Sequence, residues 1–79
     1  GTRVRGVVIE KGGREVIIPA EREVLLTSGA ICSPQLLMLS GIGPAEHLRS
    51  LGIKPVIDSA GVGSNLQDHL DCAIRLEAS

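Results

Sequence analysis

The 79-residue sequence contains no phenylalanine, tryptophan or tyrosine. Aromatic rings carry the largest apolar areas available to a small core, so any core here is aliphatic. Their absence also removes the stacking platforms that single-stranded nucleic acid needs. Charge of one sign is missing too: eight basic and nine acidic residues leave a net charge of -1. A phosphate-backbone binder should be clearly basic, so nucleic acid is excluded as a partner. No apolar run approaches the roughly 20 residues of a membrane span, so none is expected in this segment. The opening GTRVRGVVIEKGG lacks the pattern of a signal peptide. Cysteine is scarce. Cys32 and Cys72 lie far apart and are expected as free, buried thiols. With His47 and His69 they could number four zinc ligands, but they lack the paired spacing of structural sites, so no metal is expected.

What is present is mostly aliphatic. Hydrophobic residues make up 43 % and mean hydropathy is +0.26, high for a small soluble domain. A chain this short buries only about 60–65 % of its unfolded surface, so a lone core would be marginal. The balance suggests one segment covered by a larger body.

Residues 2–10 (TRVRGVVIE) are rich in β-branched side chains and predict a strand, with residues 14–18 (REVII) returning after a turn. Two registers compete. A two-residue Gly12-Gly13 loop sets Glu10 against Glu15, which is repulsive. A three-residue loop from Lys11 sets Glu10 against Arg14 and Val8 against Val16, and is preferred. Residues 23–27 (EVLLT) lack alternation and predict a strand covered on both faces, as in a parallel sheet. Ser33-Pro34 predicts a helix start, with Ser33 as N-cap and Pro34 first in the helix. The following residues 35–39 are apolar all round and are expected to be buried core. Gly41 stops that helix. Pro44 starts the next, with Glu46 and Arg49 complementing its dipole, Leu48 and Leu51 forming its apolar edge, and Gly52 ending it. His47 should be solvated. Residues 54–57 (KPVI) predict a short edge strand, residues 59–69 a loop and residues 71–77 a final strand.

Several motifs invite a chemical reading. A strand, then Ser28-Gly29-Ala30, then a capped helix is the arrangement that α/β sheets use to bind nucleotides at their strand ends. Glycine admits close backbone approach and a helix N-terminus offers N–H groups to an anion. The structural alternative is that Gly29 only turns the chain. Gly41-Ile42-Gly43 and Gly61-Val62-Gly63 are not dinucleotide fingerprints, since the third glycine is replaced by Glu46 and Leu66. Asp68 and His69 are adjacent and point opposite ways in an extended loop, so they serve poorly as an acid–base pair. Asn65, Asp68 and His69 are expected to hydrogen-bond loop backbone.

Gly29-Ala30, Ser33-Pro34, Leu36-Leu37 and residues 40–43 (SGIG) together match the second signature of the glucose–methanol–choline (GMC) oxidoreductases. Residues 22–26 (REVLL) before it, residues 44–53 (PAEHLRSLGI) after it and residues 61–69 (GVGSNLQDH) beyond agree with the family's order. The sequence thus resembles an internal segment of a GMC protein, on the choline- and alcohol-dehydrogenase-like branch. That resemblance implies an α/β fold, part of an FAD-binding domain of the glutathione-reductase type. It would comprise a β-hairpin (1–22), a buried strand and signature helix (23–43), and a helix, a loop toward the substrate domain and the start of the next strand (44–79). It implies FAD as cofactor and a small-molecule alcohol as substrate of the whole protein, oxidised at CH–OH by hydride transfer. Carried onto matching positions, Ser28, Gly29, Ala30 and Ser33 would lie near the flavin nucleotide. Asn65, Asp68 and His69 would support the loop near it. The family's GxGxxG fingerprint and its catalytic histidine match no position here, so no catalytic residue is assigned. The default compartment is the cytoplasm. The alternative is a free-standing small binding module without activity.

Overall fold

The structure, a computed structural model, describes residues 3–78. Its elements run β1 (Gly6–Lys11), β2 (Arg14–Pro19), α1 (Gly29–Leu39), β3 (Ile42–Gly43), α2 (Ala45–Ser50) and β4 (Ile57–Asp58). The chain is thus mixed helix and strand. Thr2, expected in the first strand, lies outside the described residues.

The hairpin adopts the register that charge pairing disfavoured. Glu10 faces Glu15, Lys11 faces Arg14 and Val8 faces Ile17, leaving Gly12-Gly13 as a two-residue loop. Both loop glycines have positive φ, +60° and +77°. That primed geometry matches the right-handed twist of the flanking strands. The four charged side chains are exposed, so salt screens their repulsion and turn geometry prevails. Pro19 closes the ladder opposite Gly6, and the Ala20 N–H donates to the Arg5 carbonyl at 2.8 Å.

Residues 23–27 are not a strand. They have no ladder partners, and Leu25 is exposed. The helix start also differs from expectation. Ser28 is the N-cap of α1, and Pro34 lies inside the helix. Ser33 does not cap through its position; instead its Oγ accepts the Ser28 N–H at 2.9 Å. A hydroxyl one turn into the helix can reach back to the donor that precedes it, much as the second half of a capping box does. No residue of α1 is fully buried: Leu37 and Met38 are half-buried, while Leu36 and Leu39 are exposed. The apolar block is therefore not a core within the described residues. Cys32 and Cys72 are free, but exposed rather than buried. Among the described residues no helix is long and apolar enough to cross a membrane.

The packed centre is the unit from β3 to β4. Ser40 caps α1, and Gly41 takes φ +88° as its stop. A Cβ on Gly41 would stand 2.8 Å from Val56 Cγ2 and 2.9 Å from the Lys54 carbonyl oxygen. The bare backbone there lets the Gly41 carbonyl accept from Val56 at 2.7 Å and Ile57 at 3.1 Å. These bonds lead into the parallel pairing of β3 with β4, Ile42 against Ile57 and Gly43 against Asp58. The edge strand thus forms later than residues 54–57, because Pro55 has no N–H to give. α2 crosses between the paired strands and buries Ala45 and Leu48, the only buried hydrophobic side chains among the described residues. Leu51, expected beside Leu48, is exposed. His47 is exposed, as expected. Residues 71–77 form no strand and are exposed.

α2 begins after Pro44, which has no side-chain acceptor. Asp58 fills that role: its Oδ1 accepts the N–H of Ala45, thirteen residues away, at 3.0 Å. A carboxylate at a helix N-terminus also complements the dipole.

Two predictions concern this unit, both read by chemical denaturation of the intact polypeptide that carries it. Leu48→Ala is expected to cost about 2–5 kcal/mol, the range for a fully buried leucine. Asp58→Ala is expected to cost about 1–2 kcal/mol by stranding the Ala45 donor, and Asp58→Asn clearly less because an acceptor remains. Equal losses for the two Asp58 variants would show that the cap does not act through this hydrogen bond.

Candidate functional site

The N-terminal turn of α1 faces the glycine-rich loop that follows β4. Between them lies an open cleft of about 700 Å3. Ala30, Ile31, Ser33, Pro34 and Leu37 form one wall, and residues 61–67 form the other. Of the residues singled out from sequence, Ala30, Ser33 and Asn65 thus meet in one place. Ser28 is tied to the wall through its bond to Ser33 Oγ. Gly29 precedes the wall at φ +89°, with open space where a Cβ would stand. Asp68 and His69 do not line the cleft.

The local chemistry of the loop explains its shape. The Ser64 N–H donates to the Gly61 carbonyl at 3.1 Å, and Ser64 Oγ to the Ala60 carbonyl at 3.2 Å. Asn65 takes φ +61°, the one non-glycine residue with positive φ among those described. Asparagine tolerates that conformation far better than branched residues do. Its Oδ1 accepts from Gln67 Nε2 at 2.7 Å. Asp68 Oδ1 accepts the adjacent His69 N–H at 2.7 Å, a bond to loop backbone as expected. Asn65 bonds a side chain instead. Asp68 and His69 side chains are exposed and are not joined to each other.

The cleft suits binding rather than proton transfer. Its volume lies within the range of small-molecule sites, about 300–1,000 Å3. It carries hydroxyls and amides from Ser33, Ser64, Asn65 and Gln67, and no charged side chain. The first turn of α1, which contributes Ala30 and Ile31 to the cleft, has N–H groups with no intrahelical acceptor. Sequence reasoning had placed Leu37 in a core and had not singled out Gln67 individually. The only signal for Gln67 was its place between Asn65 and Asp68 in the loop motif.

Residues 1–71 match the GMC oxidoreductase family. The chain belongs to that family. It is 54 % identical over 69 residues to an oxygen-dependent choline dehydrogenase of Rhizobium etli, covering 87 % of this chain and 13 % of the relative. It is 56 % identical over 75 residues to the protein of that name in Staphylococcus saprophyticus, covering 95 % and 13 %. The corresponding Burkholderia thailandensis protein is 54 % identical over 77 residues, covering 98 % and 14 %. The chain therefore spans about an eighth of the length of these curated relatives. No solved structure matches it. The family match takes in both walls of the cleft, α1 and residues 61–67, within a single aligned block.

Asn65 offers a test of the loop wall. Asn65→Gly is expected to keep the loop path, since glycine takes positive φ freely. Asn65→Val should strain it and raise the rate of limited proteolysis within residues 61–69 several-fold. Equal cleavage of the two variants would show that the Asn65 backbone conformation does not hold the loop.

Proposed function

We propose that this chain is part of the FAD-binding domain of an oxidoreductase that acts on CH–OH donors of the choline type. On this reading residues 1–22, 23–43 and 44–79 are successive parts of one domain, and the substrate is a small-molecule alcohol handled by the whole protein. The observation that carries the reading is the meeting of the α1 N-terminal turn with residues 61–67 in one cleft. Both walls come from the two motifs that resemble the GMC pattern.

The residues fit part of such a cofactor. α1 is 11 residues long, and the partial positive charge at its start favours an anionic group such as a diphosphate. No basic side chain lines the cleft, so backbone N–H groups would do the binding. Gly29 has nothing within 4 Å of its Cβ position, which leaves room for a ligand beside the backbone. When bound, FAD supplies the two-electron acceptor for a hydride leaving the CH–OH carbon. The part played by this chain is binding and orientation. Ser28, Gly29 and Ala30 would shape the approach to the anion, with Ser33 fixing the turn through its bond to Ser28. Asn65, with Asp68 and His69, would hold the opposite loop. No residue of the chain is assigned the role of catalytic base, His69 included.

The test is made on the intact polypeptide. It should purify yellow, with flavin absorption that bleaches anaerobically on addition of choline. Gly29→Val, strained at positive φ, is expected to lower flavin retention about tenfold. A colourless wild-type protein with no choline-dependent redox change would overturn the assignment.

A further inference from the structure

One side chain joins the cleft to the packed centre. Met38 leaves the last turn of α1 and is half-buried. A Cβ built on Gly43 of β3 would stand 2.8 Å from Met38 Cγ and 3.6 Å from its Sδ. A Cβ built on Gly63 of the loop would stand 3.4 Å from Met38 Cε. The thioether chain therefore runs from β3 at its base to the loop at its tip. Both neighbours are glycines; a side chain on Gly43 would crowd it, and one on Gly63 would come into ordinary contact with its tip.

Among the described residues no hydrogen bond ties residues 60–69 to α1. The loop's start is anchored to β3 by the Ser59 N–H, which donates to the Gly43 carbonyl at 2.8 Å. Beyond Ser59, the hydrogen bonds among the described residues 60–69 stay within the loop. The neighbours of Gly63 across the gap to α1 are apolar. The Gly63 Cβ position lies 3.4 Å from Met38 Cε and 3.9 Å from Pro34 Cβ, both in α1. An unbranched, polarizable methionine fills such an irregular gap; leucine ends one heavy atom short of it.

We propose that Met38 is the positioning residue of the cleft: it acts as a strut between Gly43 and Gly63 that holds residues 61–67 at a fixed spacing from the start of α1. Met38 does not line the cleft, so it acts through Gly63. The strut rests on the cleft as a physical feature; its effect on flavin rests in addition on the function proposed above.

The experiment compares wild type, Met38→Leu, Met38→Ala and Leu48→Ala in the intact polypeptide. Hydrogen exchange is followed at the Val62 and Ser64 amides, both hydrogen-bonded within the loop. Flavin retention is measured on the same samples. Leu48 serves as control because its Cδ1 lies 3.8 Å from the Gly43 Cβ position, while only Met38 and Pro34 approach Gly63. Met38→Ala is expected to raise exchange at the two loop amides about tenfold and to weaken flavin retention by a similar factor. Met38→Leu should fall between it and wild type. Leu48→Ala should raise exchange in α2 and leave the loop amides within about threefold of wild type. Unchanged loop exchange in Met38→Ala, or an equal rise in Leu48→Ala, overturns the strut. Absence of flavin from wild type overturns the cofactor assignment alone, and loop exchange then still decides the strut. Should Met38→Ala fail to fold, the same comparison is made with Met38→Leu, whose loop exchange must exceed that of wild type.

Discussion

The ordered part of this chain depends on how closely two helices can approach one short strand. Gly43 has no side chain, and that allows Met38 from α1 and Leu48 from α2 to converge on β3. Its carbonyl holds Ser59, and its backbone pairs with Asp58, whose carboxylate caps α2. Any side chain at this point would push against Met38 and disturb helix, strand and loop together. A centre built on glycine, leucine and methionine is the aliphatic solution open to a sequence with no aromatic rings.

Around that centre much apolar surface stays uncovered. Val8, Ile17, Leu25 and Leu39 are all exposed. The hairpin stands beside α1 across a groove of about 510 Å3 lined by Val7, Val24, Leu36 and Leu39 among others. The radius of gyration is 18.5 Å. A compact chain of this length would have one of about 12 Å. Contiguous exposed apolar surface of this kind marks places where protein is normally covered. The chain spans about an eighth of the length of its choline dehydrogenase relatives.

Where residue chemistry and backbone geometry disagreed, geometry prevailed. In the hairpin, pairing unlike charges favoured a three-residue loop, yet the twist of a Gly-Gly primed turn set the register. At α1, the Ser-Pro pair suggested a cap and first position. The helix instead begins five residues earlier at Ser28, and Ser33 turns back to it. Pro34, the sixth residue of α1, has no N–H to give the Ala30 carbonyl, so the helix forgoes one bond there. In the hairpin, a few tenths of a kcal/mol of side-chain pairing is outweighed by the backbone's stronger demands.

Local punctuation was legible in the residues themselves: the Gly41 stop, the Pro44 start, the Gly52 end, the solvated His47 and the loop after residue 59. The two glycine stops and the proline start follow from dihedral limits or a missing donor at a single position. So were three of the twelve residues that line the cleft, Ala30, Ser33 and Asn65. Strand status for residues 23–27 and 71–77, burial of the α1 face and the choice of Leu48 over Leu51 could not be settled in that way. Ladders and cores require a partner from elsewhere in the chain, and such pairing is a property of the folded arrangement. Asp58 capping α2 and Met38 reaching Gly63 belong to the same class, because contacts thirteen and twenty-five residues apart leave no periodic trace in the letters between.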